Sequence, residues 1–357
     1  MAIATAELAT RFPENPLLSP RNVRPTRPDF VVQCLLNPGA LKYKGRFGLL
    51  LRVAERPRQE EGWITTVIRN PACSEGTEIL RFRLSDPEVD VSDPRILSHK
   101  GKSYLTTLSH LRLAWSDDGV HFTVDERPAL EGDGPQETYG MEDCRVTQIG
   151  SLYCLTYSAV FAHGYGVGLV TTRDWATYDR HGMIFPTPNK DCTLFPEMIG
   201  EIYWALHRPS STTLGGSDIW IARSPDLVHW GRHECVVRTR EGLWDNARVG
   251  AGAAPIRTDS GWLVIYHGAN NQHRYCLGAF LLDLNDPARV LARSLNPIME
   301  PLAEYERCGF FGNVVFTNGH IVEGDRVKVY YGASDEVVCG AEFSLSELVD
   351  SMEPLPV

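Results

Sequence analysis

The sequence has no segment typical of a secretion signal or a membrane span. Residues 1–7 lack a basic region followed by an apolar stretch, and no stretch approaches the roughly 18 apolar residues that a membrane helix needs. Nine cysteines lie scattered without a C-x-x-C pair, which favours a reducing compartment over a disulfide framework. We therefore expect a cytoplasmic protein with no membrane partner.

Several chemical signatures are also missing. The formal net charge is −10 and no run of Lys and Arg occurs, so we expect no nucleic-acid partner. The histidines lack metal-ligand spacing and no G-x-S-x-G element occurs, which argues against a metal site and acyl-enzyme chemistry. Residues 250–252 begin like a dinucleotide fingerprint but continue as Ala-Ala-Pro. We expect neither a metal nor an organic cofactor.

The sequence does contain a repeat. A glycine or polar turn followed by a short aromatic strand recurs at residues 45–52, 101–107, 150–157, 200–207, 261–267 and 325–332. A second element, in which a small or basic residue precedes an Asp-containing turn, recurs at residues 114–119, 172–175 and 222–230. Short strands grouped into units of about fifty residues are typical of the four-stranded blades of a β-propeller.

The repeat predicts an all-β protein with five or six blades, because the first two hairpins could belong to one enlarged blade. Residues 54–74, with several Pro, Arg and Glu, are interpreted as a loop insertion. Ser344 to Glu347 form a capping-box pattern, which predicts a short C-terminal helix. The apolar face of this helix would consist of Leu345, Leu348, Val349 and Met352.

The pair Glu142-Asp143 is the first candidate for chemistry. On a regular strand adjacent side chains face opposite sides, so only one of the two would face the propeller axis. Glycosidic cleavage needs a protonated group beside the leaving oxygen, and a second carboxylate or another nucleophile across the sugar ring. The alternative is structural, since an Asp near a turn commonly accepts hydrogen bonds from backbone N–H groups.

Lys190, His207 and Arg208 place cationic donors on otherwise apolar strands. Such groups are costly to bury unless an anion meets them, and Arg and Lys together could hold a phosphate. The alternative is ion pairing with Asp191 or Glu197. Tyrosines such as Tyr266 could stack on sugar faces, although for most of these aromatic residues the pattern favours a position in the core between blades.

With these residues in hand, the chain resembles glycoside hydrolase family 130, the mannoside phosphorylases and related β-mannosidases, over nearly its full length. The order and number of the matching segments carry the resemblance. They are residues 37–40, 50–52, 139–145, 189–191, 194–197, 206–209, 219–222, 249–252, 261–268, 313–316 and 330–335. Cys144, Gly312 and Ser334 depart from the family pattern, which usually has Pro, Pro and Ala there.

The resemblance implies a single five-bladed β-propeller catalytic domain over residues 1–357 and an inverting mechanism. Asp143 would be the general acid, its proton passing through a hydroxyl of the bound mannose, while phosphate attacks the anomeric carbon. The phosphate-binding residues implied are Lys190, His207, Arg208 and Arg180. The substrate-binding residues implied are Asn37, Arg52, Asn313 and Asp335, to which we add Glu142, Tyr266 and His267.

Residues 92–95, 104–119 and 309–312 look most like the subgroup that acts on β-1,2-linked mannobiose and mannooligosaccharides. The expected partners are therefore a mannooligosaccharide and inorganic phosphate, and self-association is common among such relatives, so a homo-oligomer is compatible. Two alternatives stay open. Water could replace phosphate, with Glu197 as a candidate base, or the propeller could bind carbohydrate without catalysis and then would not need Asp143.

Overall fold

The structure is a computed structural model that describes residues 7–210 and 215–355. Most of these residues lie in β-strands, as expected. The strands of the first half are β1 (Thr10–Arg11), β2 (Phe30–Tyr43), β3 (Arg46–Pro57), β4 (Trp63–Arg69), β5 (Thr77–Arg83), β6 (Val89–Asp90), β7 (Ile96–His99), β8 (Lys102–Leu105), β9 (Leu108–Ser116), β10 (Thr123–Val124), β11 (Met141–Ile149), β12 (Leu152–Phe161) and β13 (Gly164–Thr172).

The second half continues the pattern and contains both short α-helices. Its strands are β14 (Asp179–Phe185), β15 (Asn189–Leu194), β16 (Tyr203–Pro209), β17 (Ile219–Ser224), β18 (Gly231–Val237), β19 (Arg248–Ala251), β20 (Ile256–Arg257), β21 (Trp262–Ala269), β22 (Tyr275–Leu282), β23 (Val290–Arg293), β24 (Val315–Glu323), β25 (Arg326–Ala333), β26 (Val337–Ser344) and β27 (Glu353–Pro354). The helices are α1 (Glu304–Arg307) and α2 (Leu345–Asp350), and a 3-10 turn spans Pro20–Asn22. No helix within the described ranges is long and apolar enough to cross a membrane.

These strands form five larger antiparallel sheets. Sheet 1 has the order β10-β9-β3-β2, sheet 2 the order β11-β12-β13-β14, and sheet 3 the order β15-β16-β17-β18. Sheet 4 has the order β19-β21-β22-β23-β27 with β20 beside β21, and sheet 5 the order β1-β26-β25-β24. The first strand of the chain thus completes the sheet that the C-terminal strands build.

Each sheet packs on the next through its own apolar core. Separate clusters of buried side chains join sheets 1 and 2, sheets 2 and 3, sheets 3 and 4, sheets 4 and 5, and sheets 5 and 1. Strand β2 of sheet 1 contacts β11 of sheet 2, and β11 contacts β15 of sheet 3. Strand β24 of sheet 5 contacts both β2 and sheet 4. Both faces of most strands are therefore buried, which explains why their sequences are nearly continuous apolar runs.

The second sequence repeat is a recurring turn. Asp118 accepts hydrogen bonds from the backbone N–H groups two and three residues later, at 2.8 Å each, and Asp174 and Asp226 do the same in sheets 2 and 3. Side-chain oxygens of this kind satisfy backbone donors that the turn would otherwise leave unpaired. The repeat is thus a structural device, and its spacing reflects the spacing of the sheets.

Two expectations are changed by the structure. Residues 54–74 are not a loop insertion, because they include the end of β3 and all of β4, and β4 pairs with β5. The hairpin at residues 101–107 contributes β8 to a small sheet with β6 and β7, so it does not begin a further large sheet. The C-terminal helix forms as predicted, with Ser344 Oγ accepting from the Glu347 N–H at 3.2 Å and Leu348 fully buried.

Gly140 allows sheets 1 and 2 to approach closely. It has φ +97°, and a Cβ added there would lie 2.3 Å from the backbone oxygen of Ser109, with which it forms an isolated bridge.

We expect Gly140→Ala to lower the free energy of unfolding by about 3 kcal/mol, since both strain and a backbone clash must be relieved. Gly150→Ala is the control. Its φ is +60° with open space around the added Cβ, so only about 1 kcal/mol should be lost. Urea unfolding of both variants measures this difference, and equal losses would contradict it.

Candidate active site

A cavity of about 430 Å³ lies where the inner strands of several sheets meet. It is lined by both charged and aromatic side chains. The polar lining includes Asn37, Arg52, Arg95, Glu142, Asp143, Lys190, Arg208 and Asp335, and the aromatic lining includes Tyr165, Tyr275, Phe310 and Phe316. Concave sites of this size with a few converging polar groups are typical of small-molecule binding.

Bulges on three inner strands direct polar side chains toward this region. Asn37, Asp143 and Asp191 have φ of 25°, 49° and 53°, and each lies at a register shift in β2, β11 or β15. A bulge breaks the alternation of side chains along a strand. Glu142 and Asp143 therefore both line the cavity, which corrects the expectation that only one of them would face the centre.

Arg52 holds this pair of carboxylates. Its guanidinium lies 2.6 Å from Glu142 Oε1 and 3.1 Å from Asp143 Oδ1, and its Nε donates to Ser109 Oγ at 3.0 Å. Asn37 donates to the same Asp143 oxygen at 2.9 Å. Burial would raise the pKa of the Asp143 carboxyl, but Arg52, Lys190 and Arg145 outweigh it and lower that pKa below its ordinary value. Asp143 is therefore ionised at neutral pH.

Asp335 has the opposite electrostatic situation. Burial and the negative charge of Asp143 raise the pKa of Asp335 to about 6. The positive charge of Arg52 offsets only part of this rise. Asp143 and Asp335 are thereby separated in acidity within one cavity, as is common where acid and base roles differ.

Behind the cavity, Asp191 is fully buried beside two arginines and a histidine. Its oxygens lie 3.0 Å from Arg145, 2.9 Å from Arg208 and 3.2 Å from His267. Burial would raise the pKa of Asp191, but Arg208 and its neighbours lower it well below the ordinary value. Burial lowers the pKa of His267 to about 4, so this imidazole is neutral at pH 7.

Lys190 differs from the other cations of the cavity. Among the described residues it has no carboxylate oxygen within salt-bridge distance, and its Nζ lies 5.2 Å from the centre of the Tyr165 ring. Arg208 also reaches the cavity lining while one edge of its guanidinium binds Asp191. Lys190 and Arg208 therefore present positive charge to whatever enters the cavity.

Comparison with known proteins identifies the family. The sequence model of glycoside hydrolase family 130, described as beta-1,4-mannooligosaccharide phosphorylase, matches residues 102–354. The chain belongs to glycoside hydrolase family 130. A beta-1,2-mannobiose phosphorylase of Listeria innocua is 46% identical over 347 residues, covering 96% of this chain and 98% of the relative. A 1,2-beta-oligomannan phosphorylase of a Thermoanaerobacter species is 36% identical, covering 82% of this chain and 95% of the relative.

Solved structures agree with this assignment. The beta-1,2-mannobiose phosphorylase from Listeria innocua, in complex with beta-1,2-mannobiose, superposes with a TM-score of 0.93 at 45% identity, and the match covers 96% of this chain and 98% of the other. A putative glycoside hydrolase from Parabacteroides distasonis superposes with a TM-score of 0.74 at 20% identity, which shows likeness of fold alone.

In this family 130 chain, seven of the twelve predicted site residues line the cavity. They are Asn37, Arg52, Glu142, Asp143, Lys190, Arg208 and Asp335. Asn313 lies next to the lining residue Val314, and its carbonyl accepts from the Tyr275 N–H at 3.0 Å. His267 lies behind the cavity, against Asp191.

The other three predicted residues lie elsewhere. His207 is buried against Phe185 and bonds His233 at 3.0 Å. Arg180 pairs with Glu137. The ring of Tyr266 is in the core between sheets 3 and 4, and its hydroxyl donates to Asp245 at 2.8 Å. Glu197, the candidate base for hydrolysis, pairs with Arg257 outside the cavity lining.

The sequence reasoning did not select the aromatic part of the lining. Tyr165, Tyr275 and Phe316 lie on β13, β22 and β24 among largely buried residues, so no pattern distinguishes them from aromatic residues of the core. Arg95, one of residues 92–95, lies directly before β7 of the small sheet. It packs over the Phe311 ring at 4.1 Å and contributes to the cavity wall.

The raised pKa of Asp335 predicts a pH-dependent stability effect. Because the folded state binds this proton more tightly than the unfolded chain does, the favourable contribution present below pH 4 is lost as pH rises through about 6. Asp335→Asn should therefore gain about 2 kcal/mol relative to the parent protein between pH 4 and pH 7.5. Urea unfolding at both pH values measures this gain.

Asp143→Asn is the matched control of opposite sign. The lowered pKa of Asp143 stabilises the fold above its unfolded pKa, and that contribution is lost as pH falls. This variant should therefore lose stability relative to the parent protein at pH 7.5 and recover part of the loss at pH 4. A stability difference between Asp335→Asn and the parent protein that stays the same at pH 4 and pH 7.5 would contradict the raised pKa of Asp335.

Proposed function

We propose that this protein cleaves β-mannosides with inorganic phosphate, with β-1,2-mannobiose or a short β-1,2-mannooligosaccharide as substrate. Inversion at the anomeric carbon would give α-mannose 1-phosphate and a sugar shortened by one unit. The names of the Listeria innocua and Thermoanaerobacter relatives support this substrate and reaction. The observation that carries the proposal is the presence of Lys190, Arg208 and Asp143 in one cavity.

Lys190 and Arg208 are the proposed phosphate ligands. Phosphate is an anion that Arg holds through its planar fork and Lys through a point charge. Arg208 is fixed by Asp191, so it is already oriented before phosphate arrives. A bound phosphate would neutralise these positive charges. Because Lys190 is one of the groups that lower the pKa of Asp143, that pKa would then rise.

Asp143 is the proposed general acid. Phosphate oxygen attacks the anomeric carbon, the bond from that carbon to the bridging oxygen breaks, and the proton of Asp143 reaches that oxygen through a hydroxyl of the bound mannose. The hydroxyl proton of hydrogen phosphate then restores the acid, so protons balance and mannose 1-phosphate leaves as its dianion. Asn37 and Arg52 hold the Asp143 carboxyl in place, while Asp335 and Glu142 are the proposed partners of the sugar hydroxyls.

We further propose that the five sheets are the blades of a five-bladed propeller that forms one catalytic domain over residues 1–357. The five shared cores and the contact of sheet 5 with sheet 1 support this arrangement. The reaction needs no cofactor besides phosphate as co-substrate. A cytoplasmic location suits it because a sugar phosphate made inside the cell is retained, and self-association stays a prediction.

Product analysis tests the reaction. Incubation with β-1,2-mannobiose should yield mannose 1-phosphate, detected by ³¹P NMR, only when inorganic phosphate is present. Asp143→Asn should bind mannobiose but lose turnover by roughly 10²- to 10⁴-fold, the usual contribution of a general acid. Equal release of free mannose with and without phosphate would instead identify a hydrolase. A parental turnover rate in Asp143→Asn would remove Asp143 from its role.

The assignment of Lys190 makes a separate prediction. Lys190→Gln should raise the KM for phosphate by at least about tenfold, because loss of a charge-assisted contact costs about 1.5–3 kcal/mol, while the KM for mannobiose changes much less. Lys102→Gln, at an exposed position of β8, is the control and should change neither value. Equal effects of Lys190→Gln on both substrates would contradict a specific phosphate contact. Initial rates measured at varied phosphate and varied mannobiose give both constants.

A further inference from the structure

A second cavity, of about 370 Å³, lies on the opposite face of sheet 1. Adjacent residues of the same strands line the two cavities. Ala54 lines the catalytic cavity and Glu55 the second one, while Ser109 binds Arg52 and the next residue, His110, lines the second cavity. The volume of the second cavity falls within the range of roughly 300–1,000 Å³ that is typical of small-molecule sites.

The inner end of the second cavity is polar and deeply buried. His110 is 5% exposed and Glu55 is 2% exposed. Glu55 accepts hydrogen bonds from the backbone N–H and the hydroxyl of Thr26, the latter at 2.6 Å. His110 Nε2 has no hydrogen-bond partner among the described residues and lies 3.9 Å from Glu55 Oε1. Buried polar atoms are rarely left unpaired, so the His110 ring at the wall of this cavity needs a polar partner from within it.

The charges of the second cavity favour a neutral ligand over an anion. Arg27 pairs with Asp29 and Glu75, and Arg69 pairs with Glu131. Glu55 adds a carboxylate at the buried end, which would repel an anion. Burial lowers the pKa of His110 well below its ordinary value, so its ring offers one donor and one acceptor. Hydroxyl groups, which both donate and accept, match this combination of carboxylate, imidazole and guanidinium.

We propose that the second cavity binds one neutral pyranose, with its hydroxyl groups on Glu55 and His110. The identity of this sugar as a mannose unit rests on the proposed function, because mannosides are then the sugars that the protein meets. The outer end of the cavity is open at Glu75, Glu126 and Arg127, which are exposed, so an oligosaccharide could extend from it into solvent.

Equilibrium dialysis with radiolabelled β-1,2-mannobiose tests the proposal. In full-length Asp143→Asn, which binds without turnover, we expect two sugars per chain at saturation. Addition of His110→Leu, which removes both ring nitrogens at similar volume, should reduce this to one. The matched control is His320→Leu, at a histidine of sheet 5 that lines neither cavity, and it should retain two.

The outcomes decide between the two proposals separately. One sugar per chain in Asp143→Asn, or two that persist in the His110→Leu variant, would overturn the second site. Neither result bears on phosphate-dependent formation of mannose 1-phosphate.

If His110→Leu does not fold, Arg127→Trp at the exposed rim decides instead. Its large side chain should reduce binding from two sugars to one, whereas Arg21→Trp on the exposed 3-10 turn should not, and retention of two sugars by Arg127→Trp would overturn the site.

Discussion

The buried carboxylate of Asp191 is the constraint on which the cavity depends. It lies on the inner strand of sheet 3 and binds Arg145 of sheet 2, Arg208 of sheet 3 and His267 of sheet 4. Arg145 also donates to the backbone oxygens of Asp143 and Ala251. A buried charge is tolerated only when it is paired and hydrogen-bonded, so these contacts fix three sheets relative to one another and hold the main chain of Asp143.

The same region concentrates unusual backbone geometry. Asn37, Asp143 and Asp191 adopt left-handed φ values that cost energy for residues other than glycine. Asn and Asp tolerate this conformation better than most residues, which explains the residue types at these positions. In sheet 4 a glycine, Gly250, lies beside Asp191 and His267. A Cβ at Gly250 would lie 2.4 Å from the His267 ring and 2.5 Å from Asp191, so this strand leaves room for the ion cluster.

One rule, alternation of side chains along a strand, shows how far sequence could predict the site. Applied to Glu142-Asp143 it failed, because a bulge places both carboxylates in the cavity, and no sequence pattern announces that bulge. Applied to His207-Arg208 it would have succeeded. These residues lie on a regular stretch of β16, so only Arg208 reaches the cavity while His207 packs on Phe185. The repeat predicted the strands and their grouping. It did not distinguish β8, which forms a local hairpin with β7 in the small sheet, from a strand that begins a large sheet.

The different acidities of Asp143 and Asp335 suggest an order of events for the proposed reaction. By the direction of its pKa, Asp335 would be the better acid, whereas Asp143 is ionised at neutral pH. Asp143, however, is ionised because cations surround it, and Lys190 is among them. A phosphate dianion bound to Lys190 and Arg208 would offset that positive field. Protonation of Asp143 is then favoured only once phosphate is present, which couples the acid to its co-substrate. Asp335, with a pKa of about 6, can exchange hydrogen bonds with a sugar hydroxyl in either protonation state.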